Sequence, residues 1–104
     1  MSESSQLSAE DQKLLTLARA TRARTRAAEG AAVRDTDGRT YAGATVDLAS
    51  LQLSAVQVCV AMAAASGSRG LEAAVVFSGG SELAAADAAV IAEFGGDEVV
   101  VHLW

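Results

Sequence analysis

Between Leu53 and Gly67 the chain reads LSAVQVCVAMAAASG, a helix-length run in which Gln57 is the only strongly polar side chain between Leu53 and Ala65. An apolar segment of this length without a polar stripe predicts a helix that must be covered on all sides. Upstream, Leu14, Leu15, Leu17, Ala18 and Ala20 follow Ser8 and Asp11, a capping pair with an acid at its third position, and predict a helix from Ala9 to Ala27. Two short apolar segments flank Asp37-Gly38, a dipeptide suited to the positive φ angles of a tight hairpin turn, and predict strands over Ala31 to Arg34 and Arg39 to Val46. LEAAVVF, Leu71 to Phe77, reads as a buried strand. SELAAADAAVIAEFGG reads as a helix started by Ser81 and ended by Gly95-Gly96, and DEVVVHLW as a last buried strand. The order is α-β-β-α-β-α-β. A hairpin followed by two strand-helix-strand crossovers predicts a mixed sheet whose later strands are parallel, with helices on both faces. The fold class is therefore a three-layer α/β/α domain over residues 8–104, preceded by a flexible segment over 1–7. No internal repeat or linker divides it.

Composition narrows the class further. Of the 104 residues, 51% are hydrophobic and 20% charged, which makes the chain globular rather than disordered; only 4% are aromatic and alanine dominates, so small side chains must pack closely. The net charge of -5 gives no overall drive toward nucleic acid or an anionic membrane. Charge is uneven: seven of the eight basic residues precede Leu53, and beyond it Arg69 alone opposes six carboxylates. The longest apolar run, Val58 to Ala65, is far short of a membrane span. A single cysteine excludes an internal disulfide, and the start MSESSQLSAE lacks both a basic and an apolar leader region, so the cytoplasm is the expected compartment.

Candidate chemistry is sparse. Arg19, Arg22, Arg24 and Arg26 crowd the second half of the first helix, where the dipole favours positive charge; they read as a solvated face, with a subunit contact or an anion site as the alternative. Cys59 reads as a small buried apolar residue. His102 alternates with Val101 and Leu103 and has no ligand-type partner at useful sequence spacing, so it reads as structural or surface-exposed, with a role in binding or proton transfer as the sharper alternative. Gln57 suits a hydrogen bond at a subunit contact or to a ligand. Asp87, on an otherwise alanine face, is either a helix-surface charge or the floor of a polar pocket. Ser78-Gly79-Gly80-Ser81 lacks the spacing of a phosphate-binding motif and reads as a connecting loop.

Read together, GAAVRDTDGRTYAGATVDLAS and AAADAAVIAEFGGDEVVVHLW resemble the small homotetrameric cytidine deaminases, over roughly Leu7 to Leu103. That family's hairpin ends in G-x-N-x-E-N-A and leads into a helix carrying C-A-E, and a later helix carries P-C-G-A-C before E-F. The resemblance implies the cytidine deaminase-like α/β/α sandwich, a zinc held by three protein ligands, a water on the metal that attacks C4 of cytosine, and a glutamate that shuttles protons. Carried onto this chain, C-A-E falls on Val56-Gln57-Val58, and the two cysteines of the second motif fall on Ala84 and Asp87, with Leu83 in place of the proline. The ligand positions are thus Val56, Ala84 and Asp87, and the proton-shuttle position is Val58. One carboxylate cannot replace three thiolates. The asparagine and glutamate that would hold the ribose correspond to Thr45 and Asp47, and the aromatic segment over the base corresponds to Ala23 to Ala27, where no aromatic remains.

The expectation is therefore a catalytically inactive, cytidine deaminase-like protein with no metal and no cofactor, acting as an oligomeric structural or binding module. A homodimer or homotetramer should form through the Leu53 to Ala65 helix. A protein partner or a small ligand, contacting Thr45, Asp47 or Asp87, is the other expected association; membrane and nucleic acid are not. The alternative is a hydrolase on a nucleoside or related heterocycle using Asp47, Asp87 or His102 in a rearranged site. A weaker alternative is an RNA-associated accessory protein using the arginine-rich helix.

Overall fold

The structure is a computed structural model that describes residues 7–104. Apart from Leu7, the flexible segment expected over 1–7 lies outside the described residues. In chain order the elements are α1 (Ala9–Thr25), β1 (Gly30–Asp35), β2 (Thr40–Ala44), β3 (Val46–Leu48), β4 (Leu51–Leu53), α2 (Ala55–Ala65), β5 (Leu71–Phe77), α3 (Ala85–Gly95) and β6 (Val100–Leu103). Alternation along β1 and β5 sets the layers, because successive side chains leave a strand on opposite faces. Ala31, Val33, Ala74 and Val76 face a cluster with Ala55, Val56, Cys59, Val60 and Ala63 of α2 and Ile91 of α3. Ala32, Ala73 and Val75 face the other way, onto Leu14, Leu15 and Ala18 of α1. The result is the expected three-layer α/β/α sandwich.

The main sheet has the order β2-β1-β5-β6. β1 is antiparallel to both β2 and β5, while β5 and β6 are parallel, as expected for the later strands. This order brings the starts of α2 and α3, which follow β2 and β5, to the same end of the sheet. Two glycines permit the close layering. A Cβ at Gly30 would lie 2.1 Å from the Ala18 carbonyl oxygen, and one at Gly43 would lie 2.7 Å from Val58 Cγ1.

Several boundaries differ from the sequence expectation, each for a local reason. The strand expected to reach Val46 stops at Ala44, and an additional hairpin, β3–β4, follows, pairing Val46 with Leu53 and Leu48 with Leu51. Its turn is Ala49-Ser50, which carries none of the usual glycine, asparagine or aspartate signals. Leu53 accordingly belongs to β4, and α2 starts at Ala55 behind a Ser54–Gln57 capping box. In the first hairpin only Gly38 takes a positive φ, of 88°; Asp37 does not, because the chain turns over Asp35–Gly38, with the Gly38 N–H bonded to the Asp35 carbonyl at 3.0 Å. α3 begins at Ala85 with no side-chain cap, so Ser81 does not start it. α1 ends at Thr25, two residues short of Ala27.

Candidate functional site

At the shared end of the sheet the starts of α2 and α3 are linked by a side-chain hydrogen bond. Ser54, the N-cap of α2, accepts a hydrogen bond from the Gln57 N–H at 3.0 Å, and the Gln57 side chain accepts one from the Ser54 N–H at 2.9 Å. The Ser54 hydroxyl donates to Asp87 Oδ1 at 2.5 Å. Asp87 sits in the first turn of α3, where the helix dipole favours a carboxylate, and is 3% exposed. This corrects the reading of Asp87 as a surface charge, and it assigns Gln57 to the cap rather than to a subunit or ligand contact. Ser54 is the residue that sequence reasoning missed; its signal was the S-x-x-Q spacing of a capping box.

The remaining expected positions are distributed around this contact or away from it. Val56 is fully buried in the first turn of α2, within the α2–α3 side of the core. Val58 is half-buried against Gly43 of β2. Ala84 is exposed at the start of α3. Thr45 is half-buried and committed to the end of the β1–β2 hairpin, where its hydroxyl accepts from the Glu29 N–H at 3.0 Å. Asp47 is exposed on β3 opposite Gln52.

His102 lies on the α1 side of the sheet and has a partner after all. Its Nε2 is 2.9 Å from Asp11 Oδ2, on a residue 91 positions away. Arg34 Nη1 lies 3.0 Å from Asp11 Oδ1, while Arg34 Nε donates to Glu72 Oε1 at 2.9 Å. The Arg34 Nη1–Asp11 Oδ1 pair is buried and ionic without hydrogen-bond alignment. Burial acts to raise the Asp11 carboxyl, but the hydrogen bond from His102 and the Arg34 guanidinium beside it outweigh it and hold the group below the usual carboxylate value. Asp47, Asp87 and His102 are therefore not brought together, which removes the geometric basis for a rearranged site built from them.

A zinc site needs at least three donor side chains. Val56, Val58 and Ala84 offer none, and Asp87 Oδ1 is engaged by Ser54. Cys59 is buried, with its thiol directed to the Ala31 carbonyl at 3.4 Å; burial pushes it up to about 12, so at neutral pH it stays protonated. Among the described residues no three His, Cys, Asp or Glu side chains form a group able to hold a metal ion. The residues present do not fit a zinc.

A family model described as cytidine deaminase-like matches residues 7–103. No curated protein matches the chain. Among solved structures, the chain is similar to the cytidine deaminase of Mycobacterium leprae, with a TM-score of 0.78 and 24% identity over 90% of this chain and 87% of that one. The cytidine deaminase of Mycobacterium tuberculosis gives a TM-score of 0.78 at 25% identity, covering 90% and 85%. That of Burkholderia pseudomallei gives 0.72 at 27%, covering 82% and 76%.

Proposed function

Since the chain belongs to the cytidine deaminase-like family, we propose that it is a non-catalytic member, an oligomeric binding or structural module of the cytoplasm rather than a hydrolase. The observation that carries this reading is the junction of α2 and α3. Where zinc-dependent deamination needs ligands and a proton shuttle, the chain has a buried Val56, a half-buried Val58 and an exposed Ala84, and its one carboxylate, Asp87, is tied to the Ser54 cap. A valine can neither hold a metal nor move a proton. Filling the position with apolar side chains also avoids burying an empty polar site, which is costly without partners.

The test is metal content together with turnover. The purified protein should hold no stoichiometric zinc, a chelator should leave its melting temperature unchanged, and loss of cytidine absorbance should match the no-enzyme control. About one zinc per chain retained through dialysis, or turnover above the control, would overturn the reading.

The oligomeric part rests on what the chain leaves uncovered. Ala61, Ala64 and Ala65 of α2 are exposed on the single chain, as are Leu48 and Leu51 of the β3–β4 hairpin. Small side chains let a second copy of the helix approach closely, and a symmetric contact would cover the same face twice. Ala64→Glu should shift light scattering toward the monomer with little change in thermal stability, since the side chain does not face the sheet. A wild-type protein that is monomeric at micromolar concentration would refute this. Among the described residues no helix is long and apolar enough to cross a membrane.

A further inference from the structure

Arg19, Arg22 and Arg26 line a cavity of about 270 Å³ at the end of α1, together with Ala23, Ala27 and Phe77. The guanidinium carbons of Arg19 and Arg22 each lie 5.3 Å from the centroid of the Phe77 ring. Arg22 Nε also donates to the Ala28 carbonyl at 3.1 Å, and its Cβ is held close to Gly30. Contact with a ring face and a backbone carbonyl orients the guanidinium groups while leaving N–H donors for a ligand. Among the described residues none of the three arginines has a carboxylate partner. In a chain of net charge -5, three cations without a carboxylate partner among the described residues stand out around one depression.

Arg26 supplies a separate observation. It follows the last residue of α1 with φ 56° and ψ 35°, the one non-glycine residue with positive φ among the described residues. Helices commonly end with glycine in this conformation, because a Cβ is disfavoured there. A strained arginine where glycine would be easier points to a use for its side chain.

We propose that this cavity binds the phosphate group of a small phosphorylated molecule. Guanidinium forks match phosphate oxygens with paired hydrogen bonds, and a phosphomonoester carries a charge of about -1.5 to -2 at pH 7. The end of α1 presents about half a negative charge from the helix dipole, which three full positive charges outweigh. Phe77 is the last residue of β5, and the crevices outside the carboxyl ends of strands are where open α/β sheets bind ligands. The volume suits a phosphate with a few further atoms; pockets for whole drug-sized ligands start at roughly 300 Å³. A nucleic acid strand fits less well, since it needs a basic track, and the second half of this chain is acidic. The cavity includes Ala23 and Ala27, within the segment that the resemblance sets over the base, but neither Val56 nor Asp87 lines it, so phosphate binding here does not depend on whether those two positions hold a metal.

The experiment is calorimetry and thermal shift with ribose 5-phosphate and inorganic phosphate, against ribose and against sodium chloride at matched ionic strength. Ribose 5-phosphate should bind and raise the melting temperature at millimolar concentration, and binding should strengthen from pH 5 to pH 7 as the second phosphate proton leaves. Arg19→Gln should weaken it by about tenfold or more. Arg26→Gly relieves the backbone, so it should melt at or above the wild-type temperature while losing affinity; this variant separates binding from folding. The proposal is overturned if ribose 5-phosphate does no more than matched chloride, or if both variants bind it unchanged. Tighter, length-dependent binding of an oligouridylate would overturn the assignment to a small molecule.

Discussion

Gly30→Ala should destabilise the protein by about 3 kcal/mol or more, a large share of the roughly 5–15 kcal/mol that holds a typical domain together. A Cβ at this position would stand 2.1 Å from the Ala18 carbonyl oxygen, 3.1 Å from its carbon and 2.8 Å from Arg22 Cβ. The two nearest backbone atoms belong to the middle of α1 and cannot rotate aside. The helix must lift from the sheet, opening the contact of Leu14, Leu15 and Ala18 with Ala32, Ala73 and Val75. Urea denaturation checks this, and an unchanged midpoint would show that α1 does not lie so close to β1. Gly43 provides the contrast, because its near neighbours are the side-chain atoms of Val58 and Cys59. Gly43→Ala should cost less, and Val58→Ala should restore part of the loss.

Asp35→Ala should cost about 3 kcal/mol and flatten the acid limb of the stability profile. Asp35 is fully buried at the end of β1 and serves as a hub of four hydrogen bonds. Its Oδ2 accepts from the Ser68 hydroxyl at 2.5 Å and from Arg39 Nε at 3.1 Å, while Oδ1 accepts from the backbone N–H groups of Arg39 at 2.9 Å and Asp37 at 3.0 Å. Alanine would leave the buried Ser68 hydroxyl with Tyr41 alone, at 3.3 Å, and the two backbone donors without this acceptor. Burial acts to raise the Asp35 carboxyl, but the Ser68 bond, the two N–H groups and the Arg39 charge outweigh it and hold the group below its ordinary value. A carboxylate with a lowered folded-state pKa binds fewer protons than the unfolded chain. Its contribution is therefore complete above the unfolded value of about 3.9 and is lost as pH falls below it. The difference in unfolding free energy between wild type and Asp35→Ala should shrink from pH 6 to pH 3. A constant difference would mean that Asp35 contributes as a neutral group. Asp11, also lowered, should remain as the source of acid sensitivity in the variant.

The layers of this protein follow from its sequence because burial is written locally. The short, almost wholly apolar run Leu71–Phe77 is enough to predict a buried central strand, and the run beyond Ser54, broken by Gln57 alone, is enough to predict a helix without a polar stripe. The positions corresponding to a metal site could be counted along the chain as well, since each motif is contiguous. What lay outside the sequence is how the polar groups pair. Ser54 meets Asp87 and Asp35 meets Ser68 across 33 positions, and His102 meets Asp11 across 91. Such pairs depend on strand register and on the distance between layers, which a pattern of apolar and polar residues does not specify. The same holds for Gly30: a glycine before a strand looks like a turn residue until α1 is seen lying against it. The basic cavity likewise needed Phe77 of β5 to arrive beneath arginines some 50 residues earlier, which only the packing of α1 on the sheet decides.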